Sequence, residues 1–247
     1  KFLMMEYCKL GVNIDHVATI RNARGGDHPG LLRAAEIVKR ANADSVTMHL
    51  REDRRHIVDN DLFEIKKNVN IPINLEIAPT EEMISISLSL QPHSVCFVPE
   101  RREELTTEGG LDILSCSEII SKNLLLFKKK KINVTCFIDP DLEQIKALNK
   151  LGVNNIEFHT GKYASSQNKN DIDFHFQELK YAIEFSDKIG INCHAGHGLN
   201  FSNVSMVASI KQIKELNIGH FLIGESIFCG LEDTIIKMRE LINVARL

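Results

Sequence analysis

His49, Glu76, Glu157 and His197 are the residues whose types and surroundings best suit proton transfer. Imidazoles and carboxyls crowded into a dry pocket shift one another's pKa values, so acid and base forms coexist near neutral pH. Each lies in or just beyond a short apolar run, where a charged group is costly to bury unless paired or used. Taken singly, each has a plainer explanation. Glu76, in INLEIA, also fits a satisfied core carboxylate, and Glu157 an ion pair with a neighbouring cation. His197 stands between glycines (Gly196 and Gly198), which suits tight backbone or the close approach of a ligand. It is the recurrence that points to a site: Asn13, Asp15, His16, Arg51, Glu100, Arg101, Asp139, His159, His194 and His220 occupy equivalent places.

Those places are the ends of short β-rich runs: 10–15, 45–50, 73–78, 94–99, 133–139, 155–160, 190–195 and 220–224. Each is too short for a helix and is bounded by polar, Gly or Pro residues, which suits a buried strand. Helical patterns lie between them over 31–43, 81–90, 111–127, 141–151, 173–189, 203–216 and 225–245. Strand then helix, about eight times over, is the repeat of a closed (β/α)8 TIM barrel, in which residues at the C-terminal strand ends converge on one pocket. An open doubly wound sheet alternates in the same way, but no G-x-G-x-x-G follows the first run. With no linker or low-complexity stretch, residues 1–247 are expected to form a single domain. The irregular stretches 100–110 and 161–171 follow runs four and six, where barrel loops hold or cover a site.

Phosphate handling is suggested by Gly219, His220 and Gly224, which open into a helix, and by guanidinium groups at Arg21 and Arg24 and at Arg51, Arg54 and Arg55. Glu52 and Asp53 beside the second group imply that some of these arginines serve in ion pairs. The histidines could also hold a metal, but the first run ends Asp15-His16 rather than H-x-H, and there is no H-E-x-x-H. The acid–base reading without metal is therefore preferred.

Composition excludes other classes. Thirty basic against 33 acidic side chains, a net charge of −3, argue against nucleic-acid binding. The basic run Lys128–Lys131 suits a solvated helix C-terminus. Six scattered cysteines without C-x-x-C favour a reducing, cytoplasmic setting, and no run is long and apolar enough for a membrane span.

Longer words are more specific. GVNIDHVATIRNARG (11–25), HLREDRRH (49–56), NLE (74–76), VPE (98–100), TTEGG (106–110), FHTG (158–161), AGHG (195–198) and NIGH (217–220) occur in order along nearly the whole chain. In these the sequence resembles the pyridoxine 5'-phosphate synthase family. The resemblance implies a barrel with extra helices, assembled as dimers into a homo-octamer. It implies condensation of 1-deoxy-D-xylulose 5-phosphate with 3-amino-2-oxopropyl phosphate to pyridoxine 5'-phosphate, phosphate and water, without metal or organic cofactor. By the same resemblance His49 and Glu76 are proton acceptors, His197 the proton donor and Glu157 the transition-state stabiliser. Asp15, His16, Arg51, His56 and Thr106 would contact the xylulose phosphate, and Asn13, Arg24, Gly198, Gly219 and His220 the aminoketone phosphate. The stretch holding Thr106 would act as a lid. Two positions depart from the pattern: His194, where some relatives have asparagine, and Glu225, where arginine is expected. A phosphosugar isomerase or epimerase, or a binding protein that has lost catalysis, are the competing readings.

Overall fold

The computed structural model describes residues 7–100 and 109–247. Eight parallel strands close into a barrel in sequence order: β1 (Lys9–Asn13), β2 (Ser45–His49), β3 (Ile73–Ile77), β4 (Ser94–Phe97), β5 (Asn133–Ile138), β6 (Asn155–His159), β7 (Asn192–Gly196) and β8 (Ile213–Ile218). The helices are α1 (Asp15–Arg24), α2 (Leu31–Arg40), α3 (Asp59–Asn68), α4 (Glu81–Leu90), α5 (Ile113–Lys129), α6 (Leu142–Leu151), α7 (Gly161–Ser165), α8 (Lys169–Lys188), α9 (Val204–Ala208), α10 (His220–Cys229) and α11 (Leu231–Val244). The fold is thus the expected TIM barrel with helices beyond one per strand.

Two expectations are corrected. The last strand is β8, not residues 220–224, and α9 stops at Ala208 instead of running to 216. HFLIG is apolar enough for a strand, but periodicity does not separate a short apolar run from buried helix. In IKELNI, Ile213, Leu216 and Ile218 join the core, whereas Glu215 and Asn217 interrupt the apolar run. Likewise, α1 and α3 occupy stretches given no helix in the sequence, with Val17 and Ala18, and Leu62 and Ile65, as their buried anchors.

The barrel is polar inside. Outward strand residues such as Leu10, Val12, Val46, Met48, Leu75 and Ile156 join one large apolar cluster with the helices. The alternate positions carry Asn13, Thr47, His49, Asn74, Glu76, Thr135, Glu157, His159 and Asn217, while Cys96, Val98 and Phe137 form a separate small apolar cluster. Barrel interiors are ordinarily filled by branched apolar side chains. Here burial that holds the fold together lies between sheet and helices, and the lumen is left to chemistry.

The first and last strands, and the helices beside them, are fastened together. β1 pairs with β8 through Lys9↔Glu215 to Val12↔Ile218. Arg239 of α11 donates to the Cys8 carbonyl (2.7 Å) and pairs with Asp44, and Arg40 of α2 pairs with Glu232 of α11 (2.6 Å).

Candidate active site

The ends of β1 to β4 build one side of the mouth. Asp15 opens α1 directly after β1; its Oδ1 accepts from the His49 backbone N–H (2.8 Å) and its Oδ2 from Asn13 Nδ2 (2.9 Å). One carboxylate thereby ties β1 to β2. Asn13 Nδ2 also reaches Glu76 Oε2 (3.5 Å). His49 lies between two carboxyls, with Nδ1 3.8 Å from Glu76 Oε2 and Nε2 3.0 Å from Glu100 Oε1. Burial, with the charges of Asp15 and Glu157, pushes the Glu76 carboxyl well above its ordinary range. Burial also works upward on Glu100, but the His49 hydrogen bond and charge, the Glu52 N–H and the Arg51 charge together outweigh it and hold this carboxyl low.

Asp15, His49 and His56 bring one donor atom each to within 4.8 Å of one another, the spacing a metal ion would need. Their hydrogen bonds fit another use better. His56 Nδ1 accepts from the Ile57 N–H (2.9 Å), so its neutral ring carries the proton on Nε2, a donor suited to an anion and not a lone pair for a cation. Burial lowers the His56 pKa.

The other side of the mouth comes from β5 to β8. Glu157 is 3% exposed, and burial with the Glu215 charge raises its carboxyl to about 8, against a lowering hydrogen bond from Asn217 Nδ2 at 2.7 Å. Only glycine fits beside it: a Cβ at Gly196 would sit 2.4 Å from Glu157 Oε1. His159 Nδ1 contacts Asp139 Oδ1 (2.9 Å), and its ring meets His197 edge-on at 4.9 Å. His197 has φ +82°, a left-handed conformation uncommon for any residue but glycine. Its carbonyl accepts from Thr160 Oγ1 (2.5 Å), which holds that turn. Burial, then the neighbouring His159 and His220, lower His197 to about 4.

His16 and His220 close the ring at 4.7 Å between centroids, and burial lowers His16. His220 begins α10 with Gly219 as its N-cap and no side-chain cap, so the first backbone N–H groups of the helix are without intrahelical acceptors there. A Cβ at Gly219 would stand 2.8 Å from that of Asn13; glycine lets β8 close on β1. Gly224, read from the sequence as a phosphate-side strand end, lies inside α10, and Glu225 beside it contacts Cys229 Sγ (3.7 Å).

The arginines divide. Arg21 grips Asp61 through two nitrogens (2.6 and 3.0 Å) and Arg54 pairs with Asp59 and Glu82, fastening α1 to α3 and the β2 loop to α3 and α4, while Arg55 pairs with Asp53 within that loop. Arg51 is buried next to the His49 cluster, and its charge helps lower Glu100 and His56. Arg24 is exposed in the last turn of α1. Gly198, φ +78°, follows His197. Thr106, Arg101 and most of the expected lid lie outside the described residues. His194 is corrected: it does not join the mouth but lines a cavity of about 320 Å³ at the opposite end, with Lys9, Lys214 and Glu215. Burial lowers it to about 4.

His49, Glu76 and Glu157 thus lie within electrostatic reach of one another, and His197 stands beyond β7 against His159 and His220. In the sequence Glu100 and Asp139 stand at strand ends without an assigned role, His159 is marked only as one histidine that could hold a metal, Asn74 and Asn217 occur only within the family words, and Thr47 is not singled out. Polar residues at alternate positions of apolar strands were the available signal.

Solved folds of this shape include the Amycolatopsis orientalis BexX/CysO complex, with TM-score 0.66 and 12% identity over 97% of this chain and 89% of that one; the likeness is one of fold. Two relatives are much nearer in sequence. "Pyridoxine 5'-phosphate synthase" of Zymomonas mobilis is 50% identical over 98% of this chain and 94% of its own length. The protein of the same name from Rhodospirillum rubrum is 48% identical over 98% and 97%. The family model for pyridoxal phosphate biosynthesis protein PdxJ matches residues 10–244, and the chain belongs to that family.

Proposed function

We propose that this chain is a pyridoxine 5'-phosphate synthase of vitamin B6 biosynthesis, joining 1-deoxy-D-xylulose 5-phosphate to 3-amino-2-oxopropyl phosphate with loss of phosphate and water. The observation that carries the reading is the cluster of His49, Glu76 and Glu157 in the barrel, with His197 beside His159 and His220, in a chain about half identical to enzymes of that name.

The chemistry asks for an amine to add to a ketone and for protons to move to and from carbon while phosphate and water depart. Glu76, 3.8 Å from His49, is held protonated by burial; the charge of an entering substrate ammonium favours its anion, its own proton leaves to His49, and the freed carboxylate then takes a proton from the ammonium. His49, set between Glu76 and Glu100, can pass that proton on. Glu157, at about 8, is a neutral acid at pH 7 and can donate a hydrogen bond to oxygen that gains charge. His197, at about 4, is neutral in the empty mouth. A donor role needs an anion nearby, and a phosphate at Gly198, Gly219 and His220 would supply it.

In this assignment Asp15, His16, Arg51, His56 and Thr106 hold the xylulose phosphate, and Asn13, Arg24, Gly198, Gly219 and His220 the aminoketone phosphate. The reading extends to one domain, a homo-octamer of dimers and a cytoplasmic setting, supported by the resemblance and tested for the octamer by light scattering. Formation of pyridoxine 5'-phosphate from the two substrates, in chelator and without added metal, tests the activity. Isomerisation of a phosphosugar in place of condensation overturns it.

A further inference from the structure

Glu157 is held from below by side chains that the chemistry has not yet used. Ser94 Oγ donates to Asn74 Oδ1 (2.8 Å), Asn74 Nδ2 reaches Thr47 Oγ1 (3.5 Å), Thr47 Oγ1 donates to Asn217 Oδ1 (3.1 Å), and Asn217 Nδ2 donates to Glu157 Oε2 (2.7 Å). Side chains from β4, β3, β2, β8 and β6 thus make one chain across the lumen, every donor pointing towards the carboxyl. Such networks polarise along their length and are unfavourable when incompletely satisfied, and an apolar lumen would serve folding as well. Room for the chain is built in. A Cβ at Gly11 would stand 2.0 Å from Asn217 Oδ1, as one at Gly196 would crowd Glu157 Oε1. Thr47 is fully buried, beneath the mouth.

We propose that Thr47 and Asn217 are positioning residues which fix the Glu157 carboxyl so that Oε2 accepts from Asn217 and Oε1, beside Gly196, carries the transferable proton. The inference rests on the reading of Glu157 as a group that acts on the substrate. Flipping the Asn217 amide would set its oxygen against Oε2 and move the proton to the wrong side. Thr47 opposes that flip: its oxygen faces Asn74 Nδ2, so its own proton is directed to Asn217 Oδ1. The titratable and charged groups around Glu157 are Glu76 from β3, Cys96 from β4 and Glu215 from β8, with His194 opposite it in the β7 register and the uncharged Phe137 opposite in β5.

The test compares Thr47→Val, which keeps the shape and loses the hydroxyl, with Thr47→Ser, which keeps it. In turnover of the two phosphorylated substrates, Thr47→Val is expected to lower kcat about tenfold with each KM within about twofold, and Thr47→Ser to recover most of it. The alkaline limb of the kcat profile should move to higher pH in Thr47→Val, because an ionised Glu157 loses its aligned donor. Asn217→Asp, isosteric but without that donor, is expected to lose about a hundredfold, and carries the test if Thr47→Val does not fold. Wild-type kcat and an unmoved profile in folded Thr47→Val, or in Asn217→Asp, overturn the proposal. Glu157→Gln separates the two levels: if it is fully active, the role of Glu157 itself falls. If it is inactive beside a fully active Thr47→Val, only the positioning chain falls.

Discussion

Oδ1 of Asp139 lies 2.9 Å from Nδ1 of His159, and the same imidazole presents its ring to His197 at 4.9 Å. The carboxylate selects the Nδ1–H form of His159 and orients the ring against the assigned proton donor. Asp139→Asn is expected to lower kcat about tenfold with little change in KM, read from steady-state kinetics. The His159 hydrogen bond also holds Asp139 below its ordinary value of 3.8. Its contribution to stability is therefore present above that value and lost as pH falls through the lower, folded value.

Glu76→Gln preserves the shape of the mouth and removes the base facing His49. Product formation is expected to fall about a thousandfold, within the range for loss of a general base. Full activity would remove Glu76 from the assigned role.

His197 should respond to anions. Binding of inorganic phosphate at the N-terminus of α10 favours the imidazolium, so the His197 pKa is expected to rise from about 4 on adding phosphate, followed by the ring-carbon resonance in NMR. An unmoved resonance under saturating phosphate would place the anion elsewhere.

Glu157 links stability to pH in the direction opposite to a salt-bridged carboxylate. Its folded value, about 8, stands above the ordinary 4.5, so the folded state keeps a proton that the unfolded chain has released between these values. Its contribution is fully present below 4.5 and lost as pH rises towards 8. The buried His194 and His197, both near 4, act in the opposite sense below 6.5. Urea unfolding of Glu157→Gln beside the parent isolates the first effect: the variant should gain relative stability from pH 5 to 8.

Arg21 belongs to the fold. It is 14% and its partner Asp61 7% exposed, and Arg21→Ala leaves that carboxylate largely buried without its cation. A loss of about 3 kcal/mol is expected, or roughly 6–12 °C in Tm, with KM for both substrates unchanged.

The sequence is most legible where one pattern dominates. In INLEIA the apolar residues mark the strand, and Glu76 at an inward position marks the site within it. The same logic misled at the last strand. HFLIG is more apolar than IKELNI, yet the latter is the strand, because this lumen asks for Glu215 and Asn217 where other barrels have valine or isoleucine. Arg21 suits a phosphate in the sequence but serves the fold, and the sequence hides this because its ion pair with Asp61 joins residues 40 apart. Distance along the chain also hid the support of Glu157: Asn217 lies 60 residues away, and only barrel closure makes them neighbours.

That closure carries a schedule. β1 is made first and its outer edge is paired by β8, whose last residue is Ile218, while the Arg239 fastening to Cys8 and Asp44 comes later still. A ribosome must therefore deliver almost the entire chain before the first strand gains its second neighbour. Until then, the Lys9–Asn13 edge offers unpaired amides to any passing strand. Nascent chains arrested before residue 213 should be protease-sensitive, and the ring should close only once β8 clears the exit tunnel.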